Sequence, residues 1–123
     1  MAVIADYVLD KSLEVLDTEA DRIDITSQLA TTFTEATSTY SLGNSTSLAF
    51  GAPQNGDSSG RKVTSSIISN ASVTATGTAT HFAITDVSAS RLLAAGALGT
   101  TQSVTSGNVF NLPAFDITIN DPS

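Results

Sequence analysis

The chain has 123 residues, a formal net charge of −7 and no cysteine, which excludes structural disulfides and thiolate metal sites. Charged residues make up only 14% of the chain, and 17 Ser and 18 Thr take their place. Thr favours half-exposed strands, and the length suits one domain with its own core. We therefore expect a mainly β domain with a structural or adhesive role rather than a catalytic one.

The acidic charge is concentrated at the N-terminus. Residues 1–24 carry seven acids and two bases, a net charge of −5, and the remainder of the chain carries −2. Phosphate backbones and anionic membrane surfaces attract basic patches, so we predict neither nucleic acid nor a membrane as partner. The opening MAVIADYVLD lacks a basic region and its apolar run ends at Asp6, so we predict no signal peptide.

Residues 5–17 are predicted to form a helix that Asp6 caps at its N-terminus. Apolar residues recur at helical spacing on one stripe: Ile4, Val8, Leu9, Leu13 and Leu16. The stripe could pack on the chain's own sheet, which is the commoner case. Alternatively, residues 1–20 are an arm that docks on a neighbouring subunit, and residues 21–123 form a single β domain.

The arm interpretation supplies a candidate partner-docking surface. Its predicted residues are Ile4, Asp6, Asp10, Glu14 and Asp17. The acidic block would suit a basic surface on another protein, and it could equally be the solvated face of the helix.

Alternation of polar and apolar residues predicts most of the strands. In the first two thirds of the chain the predicted strands are 22–26, 47–50, 61–69 and 71–80. The Thr-rich segment 29–43 is predicted as a long loop anchored by Phe33, Tyr40 and Leu42, and residues 51–60 as a second loop. The apolar parity switches before Phe82, so we expect a bulge or bend near Gly77.

The last third is predicted to hold a turn at 86–90, a strand at 91–98 and a hairpin with strands 103–105 and 109–112. Residues 114–120 form the most regular predicted strand, with Phe115, Ile117 and Ile119 on one face. Seven or eight short strands with regular turns indicate a β-sandwich or jelly-roll-like barrel with one N-terminal helix.

Residue patterns for catalysis or cofactor binding are weak. His81 is the only histidine and lies within a predicted strand, which favours a structural role and excludes a zinc site in the absence of cysteine. Apart from Asp57 of the loop 51–60, the carboxylates outside the N-terminal block and the tail are Glu35, Asp86 and Asp116, and their spacing selects no pair for glycoside chemistry. We predict no catalytic residue, cofactor or metal ligand.

Two loop patterns only loosely match known ion-binding loops. Residues 55–59 (NGDSS) loosely imitate a calcium loop but lack its further acids, so whether the loop at 55–60 holds a cation stays open. The glycines of residues 51–60 with Arg61 and Lys62 do not have the spacing of a phosphate-binding loop.

The segment 80–121 resembles a recurrent pattern in short structural proteins of tailed bacteriophages. The pattern consists of an aromatic–apolar–acid strand, a strand ending in Gly-x-Leu, a turn with Gly-Asn and an alternating last strand. The matching residues are Phe82, Ile84, Asp86, Gly96, Leu98, Val104, Gly107, Asn108, Phe115, Ile117 and Ile119. Residues 40–64 and the opening MAVIAD also resemble these proteins, so the likeness covers about four fifths of the chain.

The resemblance implies a virion component, assembled in the host cytoplasm, that binds the major capsid protein or other virion proteins. A capsid decoration subunit that forms a homo-oligomer is the leading interpretation. The alternatives are a minor tail or head–tail protein, and a module that binds host-surface glycans. Glycan sites usually stack sugar rings on aromatic side chains, and the chain has no Trp and only two Tyr, which disfavours the glycan module.

Overall fold

The computed structural model describes residues 4–120, and its chain is mainly β with an N-terminal α-helix. Helix α1 covers Asp6–Glu19 and a π-helix covers Glu35–Thr39. The strands are β1 Arg22–Thr26, β2 Ser41–Ser45, β3 Gln54–Asn55, β4 Arg61–Thr64, β5 Ile68–Val73, β6 Gly77–Asp86, β7 Arg91–Val104, β8 Val109–Leu112 and β9 Asp116–Ile119. The predicted fold class, a β-barrel- or sandwich-like domain with one N-terminal helix, is confirmed.

The strands form a curled six-stranded sheet and a small three-stranded sheet. The order in the large sheet is β7-β6-β1-β2-β5-β8, and in the small sheet it is β3-β4-β9. All neighbouring strands are antiparallel. Strand β1 therefore lies inside the large sheet, and β7 and β8 lie at its two edges.

The main core fills the space between the large sheet, the small sheet and α1. Ile23 and Ile25 of β1 are 0% and 2% exposed, and Ile84 of β6 packs beside them. The Phe115 ring lies 6.1 Å from the Phe50 ring and 5.1 Å from the Phe82 ring, so aromatic packing joins the two sheets. The alternation predicted for Phe115, Ile117 and Ile119 agrees with this arrangement, since all three pack against the core.

The opposite face of β1 is also covered. Residues 27–40, which include the π-helix, form a small cluster with β6 through Ala30, Ala36 and Ala83, all at most 2% exposed. The segment 29–43 is therefore not simply a loop: it contains a π-helical turn and the start of β2. Small side chains let this segment lie close against the sheet.

A buried carboxylate lies under the covering segment. Asp24 is 0% exposed and accepts hydrogen bonds from Arg22 Nε at 2.8 Å, from Arg22 Nη2 at 2.9 Å and from Ser41 Oγ at 2.6 Å. Arg22 Nη2 also donates to the Thr37 carbonyl oxygen at 3.3 Å. A buried charge is stable only when it is paired and hydrogen-bonded, and these contacts meet that need.

The predicted hairpin between residues 103–105 and 109–112 is wrong in its pairing. Strand β8 pairs with β5 rather than with β7. The turn between β7 and β8 is held to the end of β5, because the Gly107 amide donates to the Val73 carbonyl oxygen and the Val73 amide to the Asn108 carbonyl oxygen, both at 3.0 Å. Gly107 has φ of +91°, which glycine adopts without strain.

The predicted strand 71–80 is two strands, since β5 ends at Val73 and β6 begins at Gly77. The amides of Thr74 and Ala75 donate to the Leu42 carbonyl oxygen at 2.8 and 3.1 Å. The chain bends at Ala75, just before β6, and the pairing of β6 with β7 shifts register between Ala79 and His81. The change of apolar parity that predicted a bulge or bend near Gly77 therefore coincides with a bend on one side of Gly77 and a register shift on the other.

Two other predicted strands are shorter than expected. The segment 61–69 divides into β4 and the start of β5, and within 47–50 only Phe50 forms a bridge, to Ser65. Residues 51–60 include the two-residue strand β3, so this loop is the tip of a small hairpin with β4.

The pairing at Asp24 predicts a large loss of stability when one partner is removed. Asp24→Ala leaves the guanidinium of Arg22 partly buried without its counter-charge, and we expect the free energy of unfolding to fall by about 3 kcal/mol. Urea unfolding followed by circular dichroism measures the change. The double variant Arg22→Met/Asp24→Leu removes both charges and should be more stable than Asp24→Ala; a less stable double variant would contradict this account.

Candidate docking site on the N-terminal helix

Helix α1 packs on the chain's own core. Leu9, Leu13 and Leu16 are 3%, 1% and 7% exposed, and they lie within about 60° of one another around the helix axis. Leu13 and Leu16 belong to the main core, and the helix contacts β4. This is the first of the two interpretations of residues 5–17. The N-cap residue is Ala5 with no side-chain hydrogen bond, so the prediction that Asp6 caps the helix is wrong.

The predicted stripe is narrower than expected at its N-terminal end. Val8 is 53% exposed because it lies about 100° around the axis from Leu9, and Ile4, which precedes the helix, is 40% exposed. Tyr7 is 71% exposed on the side away from the core, with Lys11 Nζ 5.3 Å from the centre of its ring. Ile4, Asp6, Tyr7 and Val8 thus form an exposed group at the first helical turn, here called the N-terminal patch.

The sequence prediction did not include Tyr7, and it placed Val8 on the buried stripe. The angle around the helix axis could have identified Tyr7 and Val8 as exposed. Tyr7 lies about 160° from Leu9 and therefore opposite the core, and Val8 lies about 100° from Leu9. At that angle the Tyr7 ring has Lys11 of its own helix beside it and lies away from the core.

The predicted acidic docking residues divide into two groups. Asp10 accepts hydrogen bonds from Arg61 Nε at 2.7 Å and Nη2 at 3.2 Å, which fastens α1 to β4. Glu14 accepts one from Lys11 Nζ at 3.2 Å. Asp6 and Asp17 are exposed and make no hydrogen bond or ion pair within residues 4–120. Of the five predicted residues, Ile4, Asp6 and Asp17 are therefore the ones still open to a partner.

The pairing of Asp10 with Arg61 raises the pKa of the guanidinium, chiefly through their hydrogen bonds. Asp6 adds a weaker attraction to the same guanidinium. Asp6, Asp10 and Asp17 lie within about 40° of one another around the helix axis, on the side next to the buried stripe. On this acidic side of α1, Asp6 and Asp10 thus lie near Arg61 of β4.

The loop at 55–60 is closed by ion pairs. Lys62 Nζ donates to Asp57 at 2.7 Å and to Asp116 at 3.1 Å, which raises the pKa of Lys62. Arg61 Nη1 donates to Asn55 Oδ1 at 2.7 Å. Both bases of the rejected phosphate site are thus engaged by oxygens of the chain. In the part of the chain that the structure describes, no group of three or more His, Asp or Glu could hold a metal ion.

The other candidate groups have local partners. Glu35 accepts hydrogen bonds from the amide and hydroxyl of Thr31, both at 2.9 Å, and these lower its pKa. Asp86 accepts one from the Ser88 hydroxyl at 2.7 Å, which lowers its pKa. The Thr80 hydroxyl lies 2.7 Å from His81 Nδ1. These contacts link each group to a neighbouring residue of its own turn or strand.

Comparison with protein-family models, with curated proteins and with solved structures finds no match. The likeness to phage structural proteins therefore stays a prediction from residues 80–121. Among residues 4–120, no helix has the length and apolar composition that crossing a membrane requires.

The burial of α1 predicts that truncation of Leu13 costs stability and truncation of Val8 does not. Leu13→Ala opens a cavity in the core and should lower the free energy of unfolding by about 3 kcal/mol. Val8→Ala removes a side chain that is already mostly in water, and it should change the value by less than about 0.5 kcal/mol. Equal effects in urea unfolding would mean that the helix does not pack as described.

The lowered pKa of Asp116 predicts a loss of stability in acid. Its carboxylate accepts hydrogen bonds from the Thr64 hydroxyl at 2.6 Å and from Lys62, and both favour the charged form. A carboxyl group with a lower pKa in the folded state contributes stability above its ordinary value of 3.8, and this is lost as the pH falls through the folded-state value. The unfolding temperatures of Asp116→Asn and wild type should therefore differ at pH 6, and the difference should shrink as the pH falls below 3.8. A constant difference would contradict the assignment.

Proposed function

We propose that this chain is a structural protein of a tailed-bacteriophage particle, a capsid decoration subunit that docks on the shell through the N-terminal patch. The observation that carries the docking proposal is the exposure of three neighbouring apolar side chains. Ile4, Tyr7 and Val8 are 40%, 71% and 53% exposed on a helix whose opposite face is buried in the core. Exposed apolar groups of this kind are typical of contact sites with another protein.

The rigidity of the patch supports the same role. Leu9 and Leu13 hold the first turns of α1 on the core, and the Arg61–Asp10 hydrogen bonds hold its side. A patch that is already ordered loses little conformational freedom when it binds, so even a small contact contributes affinity. On a symmetric shell, many such small contacts add up.

The charges of the patch indicate what the shell surface would be. Asp6 is exposed in the same first turn as Tyr7, about 100° from it around the helix axis, and Asp17 is exposed farther along the helix. The complementary surface would combine an apolar hollow with one or two basic side chains at its rim. Rim charges of this kind set the rate and the register of association more than its strength.

The test uses point variants, because removal of residues 2–20 would take Leu9, Leu13 and Leu16 out of the core and unfold the domain. Tyr7→Ser/Val8→Ser removes the apolar part of the patch without touching the core. Ile67→Ser/Val87→Ser, at two apolar residues that are 68% and 43% exposed elsewhere, is the matched control. Each protein is mixed with phage particles that lack it, and the bound copies are counted by quantitative mass spectrometry.

For wild type and control we expect close to one copy per major shell protein. At a limiting protein concentration we expect about tenfold fewer bound copies of the patch variant, because burial of each apolar side chain contributes about 1.5–3 kcal/mol to binding. Equal binding of the patch variant would overturn the docking site. A handful of copies per particle would assign the protein to the tail or the head–tail joint. No binding of wild type would overturn the virion role.

A further inference from the structure

Strand β7 has the sequence of an interior strand but lies at the edge of the sheet. Residues 92–98 read LLAAGAL, and an unbroken apolar run is typical of strands that are covered on both faces. Both faces are covered here: Leu93 and Ala94 pack against the main core, and Leu92 and Ala95 pack against the cluster under residues 27–40. What remains uncovered is the edge itself.

The backbone of that edge has no partner in the described chain. Residues 91–97 pair with β6 on one side, and on the other side their amides and carbonyls make no hydrogen bond within residues 4–120. Natural proteins protect such edges with charged side chains, proline or a covering segment. Residues 92–112 contain no charged residue and no proline.

A bulge defines how much of the edge is regular. Ala97 pairs with His81 and Gln102 with Ala79, so β7 gains three residues over β6 between these pairs. The bulged residues of β7 line a groove of about 410 Å³ against residues 111–115, with Phe82 and Phe115 among its other lining residues. A second register shift, between Ile84 and Thr85, leaves Leu93 without a partner in β6, so the edge open to a further strand, residues 91–97, is regular from Ala94 to Ala97.

We infer that this edge pairs with the same edge of a second copy of the chain, antiparallel and about a twofold axis near Ala95. Antiparallel pairing of a strand with itself is always self-complementary, and it would join two six-stranded sheets into one of twelve strands. Ala94, Ala95 and Gly96 at the centre present small side chains, so nothing bulky opposes the approach of the two backbones.

Charge disfavours most other contacts between two copies. Each chain carries −7, so most pairs of surfaces bring acids together. The edge from residue 92 to residue 97 carries none. The inference deepens the proposed function, because a dimer would offer two N-terminal patches to the shell, but it is tested without particles, so its failure and that of the docking proposal are distinguishable.

The experiment measures the mass of the purified chain in solution by sedimentation equilibrium. We expect a species of twice the 12.6 kDa chain mass for wild type. Ala97→Lys places a charge at an exposed position of the edge, inside the proposed contact between the two β7 strands. It should raise the dissociation constant of the dimer about tenfold or more. Val109→Lys, at a 59% exposed position of the other edge strand, is the matched control and should dimerise like wild type.

Hydrogen exchange gives a readout that does not depend on a variant. Amides of residues 91–97 should exchange more slowly as the wild-type concentration rises through the dissociation constant, and amides of β8 should not change. A monomer at millimolar concentration, a dimer disrupted by Val109→Lys but not by Ala97→Lys, or open-ended fibres in place of a closed dimer would each overturn the inference.

Discussion

The buried carboxylate of Asp24 is the interaction on which the layering of the domain depends. Strand β1 lies inside the large sheet, and an acid at its centre can be buried only if donors reach it from both sides. Arg22 and Ser41 supply them, and Arg22 also donates to the carbonyl oxygen of Thr37. The same guanidinium thus pairs with the buried carboxylate of the sheet and holds the segment 27–40 over it. That segment in turn covers the outer face of β6 and β7.

The acidity of the N-terminal region has more than one use in the structure. Four of the seven acids of residues 1–24 have partners beyond the helix: Asp10 with Arg61, Glu19 with Arg91, Asp21 with the Val87 amide and Asp24 with Arg22. The formal charge therefore overstates the surface that a basic partner could use. What is left is small and mixed with apolar groups, which favours a contact governed by burial rather than by long-range attraction.

Local pattern was enough to predict the helix, the strand 22–26 and the alternation after Phe115, because each depends on side chains a few residues apart. It could not predict that β8 pairs with β5, since that depends on hydrogen bonds between Val73 and the turn at 105–108. The same limit applies to the candidate site. Ile4 and Asp6 were predicted, whereas the engagement of Asp10 depends on Arg61, 51 residues away.

The two proposed surfaces are compatible because α1 separates them. Arg91, where β7 begins, donates to Glu19 at the C-terminal end of α1 at 3.4 Å. Tyr7 lies twelve residues earlier in the same helix, which at 1.5 Å per residue is about 18 Å along its axis. A strand added to the β7 edge therefore meets the end of the helix that is far from the N-terminal patch. Pairing through β7 leaves the N-terminal patch of each subunit open, so a dimer could hold the shell through two patches at once and bind it more tightly than either patch alone.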